Sequence, residues 1–161
     1  MTELSELYAQ LPLLRESTHQ VTSPATDSYN CVAWVERDLD RWWEPGFYWP
    51  APEPTDEADL DAYVELFSRV GFELCAAPLA EEGFLKIAIY AADGAFHHVA
   101  KQLPSGRWSS KAGRLHDFRH DRLDAVEGAP LLGQAVAAVY MRRPYDGHDR
   151  MEMEEDGLIR L

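Results

Sequence analysis

Tyr29-Asn30-Cys31-Val32-Ala33-Trp34 is the stretch on which the reading of this chain turns. Asp27, Ser28 and Asn30 are all of the kind that caps helices. Val32, Val35, Leu39 and Trp42 then recur at helical spacing, with Glu36, Arg37, Asp38 and Asp40 left for the solvent side. The spacing predicts an amphipathic helix that starts at Cys31 and ends at Pro45-Gly46. Main-chain N–H groups at a helix start lack intrahelical partners and carry partial positive charge, which favours a thiolate there. Cys31 is therefore a candidate nucleophile. The plainer alternative is a small apolar residue on the inner face of the helix.

On the N-terminal side, Leu4, Leu7, Tyr8 and Leu11 predict a short helix ended by Pro12, followed by a polar loop around residues 22–28. On the C-terminal side, residues 47–54 form a Pro-rich aromatic connector that wraps the surface or walls a cleft. Thr55 or Asp56 then caps a second helix with Leu60, Tyr63, Val64 and Phe67 on one face and Gly71 as its stop. Residues 71–77 read as a buried strand holding Cys75 as an inert thiol. Residues 84–90, 96–103, 107–111 and 136–141 read as further strands. Helices thus lead, and the remainder of the chain reads as sheet. Residues 1–145 make one domain and residues 146–161 an acidic, loosely attached tail.

His98 is the second candidate, near the start of a strand. Pro104-Ser105-Gly106 suits a three-residue hairpin loop closed by a left-handed glycine. That loop opposes Leu103 to Arg107, hence Ala100 to Ser110 and His98 to Ala112. Ser110 then lies diagonal to His98 on the same face and can orient the imidazole by accepting a hydrogen bond. A two-residue loop would present Ser109 and Lys111 instead. His97 competes with His98, since successive strand residues point to opposite faces. An oxyanion hole needs the Cys31 N–H and a nearby donor, for which Asn30 is a candidate besides being a candidate cap. Trp34 and Trp108 are candidate substrate-binding aromatics, against a role in core or rim. His116 and His120 stand four apart, the spacing of a helical metal pair, but no Glu follows the first His. A loop or capped turn is the simpler reading, and neither a metal nor a cofactor is assigned.

The chain's 161 residues suit one domain, and its net charge of −13 lacks the basic face that nucleic acids or anionic membranes require. Two cysteines make no disulfide framework, which implies free thiols in a reducing compartment. The acidic N-terminus has no signal-peptide pattern and no apolar run is long enough to span a bilayer. The expected location is cytoplasmic, with signal-independent export left open. Glycine-rich phosphate loops are absent.

Residues Tyr29-Asn30-Cys31-Val32-Ala33-Trp34, Lys86-Ile87-Ala88-Ile89-Tyr90, His98-Val99-Ala100 and Trp108-Ser109-Ser110-Lys111, in that order, resemble the papain-like cysteine peptidase and amidase superfamily. They are most similar to its compact bacterial NlpC-type branch, and within it to an uncharacterised family. The resemblance implies an α+β fold with a papain-like core, its N-terminal helices, the cysteine helix among them, packed on a small antiparallel sheet, with Cys31 as nucleophile, His98 as base and Ser110 in the third polar position. That position more often holds His, Asn, Asp or Gln. The implied activity is hydrolysis or transfer at an amide, isopeptide or ester bond of a peptide, protein or small amide. The alternative is a catalytically inactive domain that binds a partner.

Overall fold

Leu85, Ile87 and Ile89 alternate with Lys86, Ala88 and Tyr90 along β3 (Phe84–Ala92), and both sets are buried. A strand buried on both faces lies at the centre of a sheet covered on both sides. The computed structural model of the chain, which describes residues 2–128, 130–147 and 149, shows such a sheet. Its other strands are β1 (His19–Ser23), β2 (Glu73–Cys75), β4 (Ala95–Gln102), β5 (Trp108–Lys111), β6 (Asp117–His120) and β7 (Val136–Pro144). All pairings are antiparallel, in the order β1-β6-β5-β4-β3-β7-β2.

The helices divide between the two faces. On one, Leu85, Ile87, Ile89 and Val99 pack against α3 (Cys31–Val35) and α4 (Leu60–Arg69). On the other, Ala88, Tyr90, Ala100, Trp108 and Phe118 pack against Leu7, Leu11 and Leu14 from α1 (Thr2–Gln10), α2 (Pro12–Arg15) and the residue between them. Those three leucines are fully buried, and each contributes about 1.5–3 kcal/mol by leaving water. An α+β architecture on an antiparallel sheet is therefore present.

The β4–β5 hairpin has the expected register: Lys101 pairs with Ser109 and Gln102 with Trp108. The Leu103 N–H donates to the Arg107 carbonyl at 2.7 Å. Gly106, at φ 94°, closes the loop in a conformation that side chains resist.

Several elements differ from expectation. The cysteine helix stops at Val35, not at Pro45-Gly46. Arg37 is left-handed at φ 53°, and the Asp38 N–H reaches back to the Ala33 carbonyl at 3.0 Å, a Schellman-type end. The Asp38 carboxylate then accepts from Arg41 Nε and Trp43 Nε1, both at 2.8 Å, and fixes the chain in a turn. Helix α4 is capped by Asp59, which accepts from the Asp61 N–H, rather than by Thr55 or Asp56. Gly71, at φ 105°, follows its end as expected. Strand β2 is a short edge strand whose Leu74 is 65 % exposed, so residues 71–77 are not a buried strand. Residues 19–23, of which 22 and 23 were expected in a loop, pair as a strand with residues 117–120, where a loop or capped turn was expected. Their polar side chains obscured them, because partners in the structure satisfy those groups. The start of the acidic tail is anchored: Arg143 donates to Asp149 (3.3 Å) and Glu36 (2.7 Å) and lies 3.6 Å from Asp146. Residue 148 and residues 150–161 lie outside the described residues. Among the described residues, no helix is long and apolar enough to cross a membrane.

Candidate active site

Cys31 opens α3 because Asn30 caps it. The Asn30 Oδ1 accepts from the Ala33 N–H and the Trp43 N–H, each at 3.1 Å, and its Nδ2 donates to the Trp43 carbonyl at 2.8 Å. Asn30 is thus both cap and clamp, tying the helix start to the returning chain. The segment before it is pinned as well. The buried Lys111 amine donates to the Thr26 carbonyl at 2.7 Å and to the Gly113 carbonyl at 2.5 Å. The Tyr29 hydroxyl and Thr22 donate to the buried Asp117 carboxylate.

The thiol faces an opening in the sheet. The hairpin register would next pair Val99 with Lys111, but the ladder stops at Lys101 and Ser109. The Lys111 carbonyl accepts instead from Gly113 at 3.1 Å. The Val99 N–H acts on the Cys31 sulfur, as do the N–H groups of Val32 and of Cys31 itself. These donors and the nearby Lys111 charge favour thiolate, but burial outweighs them and pushes the thiol up to about 11. The expected depression of its pKa is therefore reversed. A five-residue helix has too little aligned backbone to offset the loss of water around a residue only 9 % exposed.

His98 comes from the other face of the sheet, beside Tyr90. It begins a row of three buried polar side chains. The His98 Nε2 lies 3.0 Å from Ser110 Oγ, Ser110 Oγ lies 2.8 Å from His120 Nε2, and His120 Nδ1 lies 2.8 Å from the Arg122 carbonyl. The protons can be placed from the far end. A carbonyl only accepts, so His120 carries its proton on Nδ1. Burial lowers His120 to about 4 and His98 to about 3, so both rings are neutral at pH 7. His120 Nε2 is then an acceptor and receives a hydrogen bond from the Ser110 hydroxyl. Ser110 Oγ in turn accepts from His98 Nε2–H, which leaves Nδ1 as the basic nitrogen of His98.

Cys31 and His98 both line a cleft of about 340 Å³, together with Asn30, Trp42, Glu44, Glu57, Tyr63 and Phe96. A register jump between Tyr90 and Ala91 leaves His97 as an extra residue in β4, and this exposed ring also lines the cleft. The bulge lets both histidines reach it, against the expectation that strand alternation admits one.

Two candidates fall outside. Trp34 lines a different depression: its Nε1 donates to Ser109 at 2.9 Å and its ring lies under Lys101 Nζ at 4.2 Å. It therefore secures α3 to β5 rather than substrate. Trp108 is core, packed among Phe118, Ala100 and Leu7. His120, by contrast, was expected from the sequence as a metal ligand or a residue at the border of the cleft, not as a partner of Ser110. A second hairpin turn at Gly113 pairs Ser110 with Phe118 and so puts His120 diagonal to Ser110. His116 and His120 do not form a helical metal pair, since β6 is extended and His120 Nε2 is held by Ser110.

A family model described as "Domain of unknown function (DUF7689)" matches residues 20–141, and the chain belongs to that family. No curated protein and no solved structure matches the chain.

Proposed function

We propose that this protein is a thiol acyl-transfer enzyme on a papain-like core, acting on an amide, isopeptide or ester. The observation that carries the reading is the hydrogen-bonded row from Arg122 through His120 and Ser110 to His98, because it fixes the tautomer a general base needs beside a cysteine nucleophile. In this reading His98 Nδ1 takes the Cys31 proton as sulfur attacks the substrate carbonyl. The Cys31 and Val32 N–H groups face the charge that develops at the reacting centre. The tetrahedral adduct collapses with cleavage of the carbonyl–nitrogen or carbonyl–oxygen bond, and His98 gives its proton to the leaving group. Water, deprotonated by His98, then attacks the thioester, the carbon–sulfur bond breaks, and the thiol recovers its proton.

Turnover of p-nitrophenyl acetate, with mass spectrometry for acetyl-Cys31, tests this. Wild type should show acetyl-Cys31 and release nitrophenol at least about a hundredfold faster than Cys31→Ala or His98→Ala. Equal rates in all three would overturn it. The raised Cys31 pKa favours a second reading, a partner-binding domain with an inert thiol. That reading predicts equal rates.

A further inference from the structure

A second depression, of about 460 Å³, opens beside α3, and neither Cys31 nor His98 lines it. Its floor is a row across three strands. Gln20 on β1 pairs with Arg119 on β6, and Arg119 with Ser109 on β5. Directly paired residues share a face of the sheet. Ser109 faces α3, since it accepts from Trp34 Nε1. One wall is the Tyr29 and Trp34 ring pair, stacked with centroids 5.8 Å apart. Strand β1 ends the sheet, so its outer main-chain edge has no neighbouring strand among the described residues.

The charge here runs against that of the chain, which holds 15 lysines and arginines against 28 acids. Arg37 Cζ lies 5.8 Å and Lys101 Nζ 4.2 Å from the Trp34 ring, and Lys111 Nζ lies 4.9 Å from the Tyr29 ring. Arg119 adds a fourth cation. Asp117 is the sole acid among the described residues that line the depression, and the Tyr29 and Thr22 hydroxyls already donate to its carboxylate. Arg37 is held at the rim against its own preference. It follows the end of α3 at φ 53°, a left-handed conformation that glycine adopts freely and arginine resists. A strained side chain in such a place points to a use for its guanidinium.

We propose that this depression docks an acidic peptide of a partner protein, extended along the outer edge of β1, with carboxylates on Arg119 and Arg37. An open strand edge gives an extended peptide main-chain hydrogen bonds, and alternate side chains of that peptide fall on the α3 face. From a strand beside β1, Arg119 is two spacings of about 4.8 Å away, a gap that an arginine and a glutamate side chain span together. A guanidinium fork pairs with a carboxylate through two parallel hydrogen bonds. Leu39, 45 % exposed at the rim, offers a contact that a peptide uses and a bare inorganic anion does not. None of this rests on the acyl-transfer reading.

The test is fluorescence anisotropy of labelled Ac-Val-Glu-Val-Glu-Val-Glu-amide with the full chain, beside the same peptide with Gln for Glu. The Glu peptide should bind saturably, about tenfold or more tighter than the Gln peptide, and weaken with salt. R37G and R119Q should each weaken it about tenfold. R37G removes the guanidinium and the left-handed strain together, so its Tm should not fall, which separates lost binding from lost folding. Cys31→Ala should bind as the parent does. Equal affinity for the two peptides, undiminished binding in both arginine variants, or binding lost in Cys31→Ala overturns the proposal. Of two Glu peptides N-methylated on Val or on Glu, one should bind about tenfold more weakly than the other, since alternate amides face β1; equal binding overturns docking along the edge. Binding that appears only in E152Q/E154Q/E155Q/D156N would make the depression a site for the chain's own acidic segment and overturn the partner assignment.

Discussion

Alkylation of Cys31 as a function of pH separates two kinds of cysteine–histidine site. If thiolate and imidazolium exist as a preformed pair, the thiol ionises below neutrality and the alkylation rate is flat above it. The structure argues for the neutral pair. Burial pushes Cys31 up to about 11 from an ordinary 9.0, so at pH 7 it holds about a hundredfold less thiolate than an unperturbed thiol, equivalent to about 2.7 kcal/mol. His98, lowered to about 3, carries no charge with which to reverse this. In a Cys75→Ser background, the rate of iodoacetamide labelling followed by mass spectrometry should rise about tenfold per pH unit from about pH 6 to 10, without a plateau. At neutral pH it should be about a hundredfold slower than for a free thiol. The variant His98→Ala should have the same profile. A plateau near pH 8 or lower, or an apparent pKa that climbs in His98→Ala, would refute the reasoning and show the ion pair in place. In the proposed acyl transfer, a neutral pair requires that proton transfer to His98 accompany attack on the carbonyl rather than precede it.

The same buried imidazoles make the fold acid-labile. Their folded pKa values lie below the unfolded value near 6.5, so the unfolded chain binds more protons and stability falls as pH drops below 6.5; His98 and His120 each cost about 2 kcal/mol by pH 5, read by urea unfolding. Equal stability at pH 7.5 and 5 would contradict this. Ser110→Ala orphans His98 Nε2–H and the His120 Nε2 lone pair in the core and should cost about 2–4 kcal/mol. A loss under about 1 kcal/mol would mean the row is not formed. Arg143→Met leaves the half-buried Glu36 and the buried Asp149 without their counter-charge and should cost about 3 kcal/mol at neutral pH, with less loss in acid, since burial raises both carboxyls. A deficit that does not shrink in acid would assign Arg143 a packing role only.

Much of this arrangement was legible from residue spacing. The hairpin loop Pro104-Ser105-Gly106 alone was enough to place Ser110 on the His98 face, because turn length determines register and register determines parity. Helix α4 was legible from its apolar stripe. The cysteine helix was overextended because Leu39 and Trp42 continue its period, whereas a left-handed Arg37 and a carboxylate at Asp38 end it; local polar competition does not register in an apolar pattern. Strands β1 and β6 were missed for a related reason. Thr22, Asp117 and His120 read as loop residues until the bonds of Asp117 to Thr22 and Tyr29 and of His120 to Ser110 are in view. The thiol pKa was misjudged because a helix start is visible in sequence and burial is not.

The serine in the third polar position is better understood from the far end of the row. Taken as a terminus, a hydroxyl is a weak partner for an imidazole, since it fixes neither direction nor charge. Here Ser110 is a link. The Arg122 carbonyl dictates the His120 tautomer, His120 dictates the direction of the Ser110 hydroxyl, and the hydroxyl dictates the His98 tautomer. The row delivers orientation without negative charge, because it ends on a backbone carbonyl rather than a carboxylate. In the proposed reaction, an imidazolium formed at His98 must then be compensated from the cleft side, by the developing charge on sulfur and substrate and by Glu44 and Glu57, which share the cleft with it. Removing Glu44 and Glu57 should therefore slow the proposed acyl transfer even for an uncharged ester such as p-nitrophenyl acetate, while leaving iodoacetamide labelling, which needs no proton on His98, much less affected.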